Sequence, residues 1–276
     1  MAIKVITDSS ANMMDNCDGH IKVVPLEIRT EERIFSDTDD LDVDEMIDYF
    51  RNTKKKSSTA CPSPGDWLEA FGDAEEIIVV TLTGNLSGCY NSAKSAADMY
   101  MSEHPQRKVF VLDTLSAGPE VGMIAKKAME IANEGASFEN ACERLKKYAE
   151  HTRLTFSLAS LHNFASNGRV NPALAKAIEI LNFKIVGRAS NVGDLQPIEK
   201  CRGEKCSLIK VLEEMESSGY AGGRVWIHHT QNERLAKLLG DELSEKYPAA
   251  DVSIGANRGL CSYYAEAGSV LIGYEM

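Results

Sequence analysis

Short apolar runs recur along this chain, each ending in turn residues and followed by an amphipathic stretch of helical length. No other feature restricts its architecture as strongly. Residues 3–7 stop at Asp8-Ser9-Ser10-Ala11-Asn12, residues 77–82 run without a charge toward Gly84, and residues 109–112 close at Asp113-Thr114. Runs this short and apolar fit strands buried on both faces, and their alternation with helices implies a largely parallel sheet. Asp42 and Ser63, the latter followed by Pro64, are expected helix caps, and further helices are expected up to about residue 101 and over 117–134 and 138–150. Residues 21–28 and 33–35 are expected to pair as a hairpin.

Beyond residue 152 the pattern changes. Strands are expected over 154–160, 183–188, 195–202, 225–228, 252–254 and 269–274, with helices over 171–181, 204–218 and 231–246. The fold class read from this order is α/β with two domains. Residues 1–152 form a Rossmann-like, mostly parallel sheet domain, and residues 153–276 form an α+β domain.

Charge and cysteine usage exclude several kinds of function. A formal charge of −11 over 276 residues does not suit a general binder of phosphate backbones, and Lys54-Lys55-Lys56 is the densest basic run. No apolar run approaches the ~20 residues of a membrane span, and the N-terminus lacks signal-peptide architecture, so a cytoplasmic location is expected. The seven cysteines are scattered without a C-x-x-C pair, so neither a disulfide framework nor a zinc site is expected. Neither a phosphate loop nor a strand-to-helix G-x-G-x-x-G occurs, so no cofactor is expected. The acidic run from Asp37 to Asp44 lacks the glycine and terminal glutamate of a calcium loop and reads as a solvated approach to a helix.

Two loops rich in small hydroxyl residues remain. One reads Ser58-Thr59-Ala60-Cys61-Pro62-Ser63-Pro64-Gly65, the other Thr81-Leu82-Thr83-Gly84-Asn85-Leu86-Ser87-Gly88-Cys89-Tyr90. Each precedes a helix, where hydroxyls beside free backbone N–H groups suit an oxygen-rich anion such as a carboxylate. In an α/β sheet both would lie beyond the carboxyl ends of the strands. Simple helix capping explains the same residues. A hydrolase with Ser87 as nucleophile is the alternative function, but G-x-S-x-G is absent and nothing in the sequence places His228 or His229 nearby. Asn167-Gly168-Arg169-Val170 and Lys200-Cys201-Arg202-Gly203 each join a cation to a glycine turn, and either arginine could hold a carboxylate or a structural salt bridge.

In order and spacing these segments resemble the DegV family of bacterial proteins, which includes the fatty-acid-binding subunit of fatty acid kinase. Ile6-Thr7-Asp8-Ser9-Ser10 looks like the family opening, Thr59-Ala60-Cys61-Pro62-Ser63 resembles its T-S-x-P-S, and Leu86-Ser87-Gly88-Cys89-Tyr90 resembles its L-S-G-T-Y. Val111-Leu112-Asp113-Thr114 and Asn167-Gly168-Arg169-Val170 match later family segments. The resemblance covers essentially the whole chain. It implies a non-catalytic lipid-binding protein that holds a long-chain fatty acid in an apolar pocket between its domains and presents it to a separate kinase subunit. By the same resemblance the carboxylate is expected at Thr59 and Ser87, with Ser63, Gly88, Arg202 and Asn257 around it. One departure stands out. The family's G-x-H-x-G-P-G reads Gly255-Ala256-Asn257-Arg258-Gly259-Leu260-Cys261 here, and Asn257 cannot become cationic.

Overall fold

The computed structural model describes residues 3–15, 21–53, 55–173, 175–176 and 183–276. Four parallel strands, β1 (Lys4–Asp8), β2 (Ile21–Val24), β6 (Glu76–Thr81) and β7 (Lys108–Asp113), form a sheet in the order β2-β1-β6-β7. The uncharged run in β6 explains its central place. Ile78 and Val80 join one core with Val121, Ile124 and Ala125, while Ile77 and Val79 join another with Trp67, Phe71 and Ala96. Successive side chains point to opposite faces, so each face needs its own helical cover. α2 (Pro64–Phe71) and α3 (Cys89–Glu103) supply one, and α4 (Pro119–Asn133) the other.

The expected strand over 21–28 is two strands in different sheets. Pro25 lacks an N–H and ends the first ladder. β3 (Glu27–Thr30) then pairs antiparallel with β4 (Ile34–Ser36), as the expected hairpin, and with β5 (Ser57–Ala60). The front of the first hydroxyl loop is therefore strand β5, with Thr59 directly opposite Ile28. α1 (Val43–Asn52) lies between β4 and β5 in the chain and is capped by Asp42, which accepts from the Glu45 N–H.

α5 (Phe138–Glu150) leads into the second sheet. Its strands are β8 (Thr152–Leu158), β9 (Lys184–Ala189), β10 (Leu195–Cys201), β11 (Arg224–Thr230), β12 (Asp251–Ala256) and β13 (Ser269–Glu275), in the order β10-β9-β8-β13-β11-β12. Neighbours are antiparallel except β11 and β12, which run parallel. Between these strands lie α6 (His162–Ser166), α7 (Glu204–Ser217), α8 (Glu233–Lys246) and α9 (Gly259–Ala265). The helix expected over 171–181 falls mostly outside the described residues. α6 and α9 are too short to show a helical period in the sequence.

Helix α4 joins the two sheets. A Cβ added at Gly122 would sit 2.5 Å from the Ala11 carbonyl oxygen and 2.8 Å from the Trp226 ring, and one at Gly273 would sit 2.6 Å from the Glu120 nitrogen. Only glycine allows backbones to approach this closely. Two expectations are corrected in these outer layers. Cys201 and Cys206 form a disulfide across the turn from β10 into α7, with Cα atoms 5.3 Å apart, whereas their scattered spacing led to none being expected. Asp37 is buried rather than solvated. Its carboxylate accepts the Gly259 N–H at 2.8 Å and the Leu260 N–H at 2.9 Å, which anchors the first turn of α9 to the first half of the chain. Burial raises its pKa against the pull of these bonds.

Candidate functional site

The carboxyl ends of the parallel strands converge through backbone bonds to two carboxylates. Asp8 accepts the Leu82 N–H at 2.8 Å and the Ser10 N–H at 3.0 Å, and Asp113 accepts the Gly84 N–H at 3.2 Å and the Leu115 N–H at 3.0 Å. Burial pushes the Asp8 carboxyl up to about 6, against those N–H donors. This frame sets the second hydroxyl loop opposite β5. The two loops also touch directly, because the Ser92 hydroxyl donates to the Pro62 carbonyl at 2.6 Å.

Between the two halves lies a cavity lined by residues from both. Most of its wall is apolar, with Leu26, Leu86, Leu154, Phe156, Leu260 and Leu271 among the lining side chains. Its polar lining is concentrated in a few groups, of which Thr59, Ser87, Arg169 and Tyr264 are neighbours. The Thr59 hydroxyl is 2.7 Å from the Tyr264 hydroxyl, and the Arg169 Nε donates to the Leu86 carbonyl at 3.1 Å, one residue before Ser87. Tyr264 stacks on Phe164 with ring centroids 4.8 Å apart. Burial raises its phenol pKa, while the Thr59 bond and the Arg169 charge pull it down. Arg169 is half-buried and has no carboxylate partner among the described residues. A cation without a counter-ion, beside three hydroxyls at an apolar cavity, has the chemistry that suits one carboxylate.

The structure brings only part of the expected set to this cavity. Thr59 and Ser87 line it. Gly88 is the residue before α3, where an added Cβ would lie 2.9 Å from the Cys61 sulfur, so it shapes the loop without lining the cavity. Ser63 is displaced from the expected site. It closes a capping box with Asp66, its hydroxyl accepting the Asp66 N–H at 3.3 Å and its own N–H donating to the Asp66 carboxylate at 2.7 Å, on an open cleft outside the cavity. Ser63→Ala should therefore cost about 1 kcal/mol of stability by denaturant titration and leave ligand affinity unchanged.

Arg202 is also displaced. It is exposed in the disulfide-linked turn after β10, whereas Arg169 lines the cavity. Asn257 is buried just outside the lining. Its amide is engaged at both ends, accepting from Asn12 Nδ2 at 2.7 Å and donating to the Thr230 hydroxyl at 3.0 Å. Tyr264 and Ser10 are lining residues that sequence reasoning missed. Arg169 was visible in its glycine turn, but nothing there separated it from Arg202.

The geometry a serine hydrolase requires is not assembled at Ser87. Among the described residues its hydroxyl bonds to no imidazole or carboxylate; it accepts the Cys89 N–H at 3.3 Å and bonds the Cys89 thiol. His228 stacks on Trp226 in β11, and burial drives its pKa down to about 4. No helix among the described residues is long and apolar enough to cross a membrane.

Comparison with known proteins fits this arrangement. A family described as uncharacterised proteins of the DegV family matches residues 2–276. A DegV family protein from Eubacterium eligens, solved loaded with heptadecanoic acid, is 42% identical with a TM-score of 0.96, and the match covers 100% of both chains. The Streptococcus pneumoniae Fatty Acid Kinase (Fak) B3 protein, solved loaded with linoleic acid, is 39% identical with a TM-score of 0.96 over 100% of this chain and 99% of that one. A DegV domain-containing protein of Streptococcus pneumoniae is 39% identical over 280 residues, covering 100% of both chains. The chain belongs to the DegV family.

Proposed function

We propose that this protein binds a long-chain fatty acid, with the carboxylate against Arg169, Thr59, Ser87 and Tyr264 and the acyl chain along the leucine and phenylalanine wall. The single observation that carries this reading is an apolar cavity whose one lining cation has no counter-ion among the described residues. The fatty acids in the structures from E. eligens and S. pneumoniae support the ligand class. Burying ~14 methylenes at ~0.8 kcal/mol each contributes roughly 11 kcal/mol, and association costs of ~4–15 kcal/mol offset much of it. The tail therefore carries most of the affinity, while the polar cluster fixes orientation and selects an acid.

In this reading the protein is not an enzyme but presents the fatty acid to a separate kinase subunit. Its likeness to a protein named for fatty acid kinase supports that step. Organic extraction of the purified protein followed by mass spectrometry is expected to release a long-chain acid. Finding none, together with no saturable binding of added palmitate or oleate, overturns the reading. Mixing the loaded protein with a fatty acid kinase subunit and ATP is expected to yield acyl phosphate. Binding without turnover would confine the function to carriage.

A further inference from the structure

The two hydroxyl loops carry a cysteine each, and the fold packs the Cys61 loop against the start of the helix that carries Cys89. A Cβ added at Gly88 would lie 2.9 Å from the Cys61 sulfur, so Cys61 rests against the residue preceding Cys89. Ser92 lies one turn after Cys89, on the same side of α3, and its hydroxyl bonds to the carbonyl of Pro62, the residue after Cys61. Both contacts press the Cys61 segment onto the first turn of α3.

The two thiols differ in access. Cys61 is half-buried on the wall of an open cleft that it shares with Lys22, Pro25, Ser63 and Asp66. Cys89 is fully buried. Burial pushes the Cys89 thiol well above its ordinary range, and the nearby Asp8 carboxyl and Cys61 thiol add to this. Neither cysteine belongs to the disulfide at Cys201 and Cys206. Cys261, a third thiol near the cavity, is buried and donates to the Ser10 carbonyl at 3.3 Å.

We propose that Cys61 and Cys89 are a hydroperoxide-sensitive thiol pair whose disulfide disables the carboxylate cradle. The accessible thiol reacts first. The Cys61 thiolate attacks one oxygen of the hydroperoxide, the O–O bond breaks, and hydroxide or an alkoxide leaves with the electron pair to take up a proton. Cys61 is then a sulfenic acid. The Cys89 sulfur attacks that sulfur, the S–O bond breaks, and the departing hydroxide leaves as water with the Cys89 proton. The thiol pair is oxidised by two electrons and the hydroperoxide is reduced by two. To reach Cys61, the Cys89 side chain must leave its buried seat. That movement pulls on its own N–H, which is bonded to the Ser87 hydroxyl at 3.3 Å, and shifts the hydroxyl that lines the cavity.

The consequence for the ligand rests on the proposed fatty-acid site, whereas the thiol chemistry does not, so the test reads them separately. Pre-reduced full-length protein is treated with hydrogen peroxide, alkylated, digested without reductant and mapped by mass spectrometry. A linked peptide joining Cys61 to Cys89 is expected, absent from untreated protein and from Cys61→Ser, in which Cys89 stays a free thiol. Recovery of Cys61 as a free thiol, or as a higher oxide without the link, overturns the pair. Circular dichroism of Cys61→Ser checks that its fold is kept.

Palmitate titration of the linked protein is expected to show about tenfold weaker binding, restored by dithiothreitol. A linked protein with unchanged affinity overturns the switch. Reduced protein that binds no fatty acid overturns the ligand site and the switch with it, while the linked peptide is still read on its own.

Discussion

Arg169→Ala should weaken binding of a long-chain fatty acid by about 10- to 100-fold, with little change in affinity for the corresponding fatty alcohol. The size follows from what is removed. Hydrogen bonds to charged groups contribute about 1.5–3 kcal/mol, and each 1.4 kcal/mol is a factor of about ten in affinity. Arg169 suits this role because its Nε is fixed by the Leu86 carbonyl at 3.1 Å, which holds the guanidinium beside Ser87 and Tyr264. The alcohol is the decisive control. It keeps the tail and loses the charge, so a variant that only damages the cavity weakens both ligands alike. Arg169→Lys keeps the charge without the planar fork and should fall between wild type and alanine. Isothermal titration of acid and alcohol against the three proteins gives the comparison. Equal acid affinity in wild type and Arg169→Ala would place the carboxylate elsewhere.

The choice between Arg169 and Arg202 shows where sequence reasoning stops. Both follow or precede a glycine in a short turn, and local chemistry treats them alike. They are separated by the path of the chain. The turn after α6 carries Arg169 over the Leu86 loop, while β10 delivers Arg202 to an exposed edge. The two hydroxyl loops are legible as short segments of unusual composition, but Thr59 and Ser87 were singled out within them by the family resemblance. Tyr264 was not legible, because α9 is a seven-residue helix and its Tyr263-Tyr264 pair gives no periodic signal.

The core strands were read well for a reason visible in β6. An uncharged run whose alternate residues enter two different cores has only one setting, the middle of a covered sheet. Asp37 shows the opposite case. It stands in an acidic run that looks solvated, and its burial is imposed by the backbone of Gly259 and Leu260, far along the chain. Likewise, the break at Pro25 sends β2 and β3 to different sheets, which hydrophobic pattern alone does not reveal.

The carboxyl of Glu120 should make the protein more stable in mild acid than in mild base, and Glu120→Gln should abolish that dependence. Glu120 is fully enclosed in the first turn of α4, where the helix bridges the two sheets. Burial raises its pKa from an ordinary 4.5 to about 7, against the Ser116 and Thr152 hydroxyl bonds and the Arg153 charge. A pKa higher in the folded than in the unfolded chain means that the folded state holds the proton more tightly. The resulting stabilisation is fully present below about pH 4.5 and is lost as pH rises through about 7, a span of roughly 3 kcal/mol.

Glutamine reproduces the protonated acid at every pH, and the site can accommodate its amide. Its carbonyl accepts one hydroxyl while its NH2 donates to the other. If that second partner is Thr152, its hydroxyl proton turns to the Ala149 carbonyl, already 3.2 Å away. Urea titrations at pH 5 and pH 8 should therefore find the variant close to wild type at the lower pH and roughly 3 kcal/mol more stable at the higher, with unchanged m values. A difference that is the same at both pH values would mean that Glu120 is ionised throughout this range. The hydroxyls of Ser116 and Thr152 would then be holding a buried carboxylate, not a neutral acid, at the junction of the two sheets.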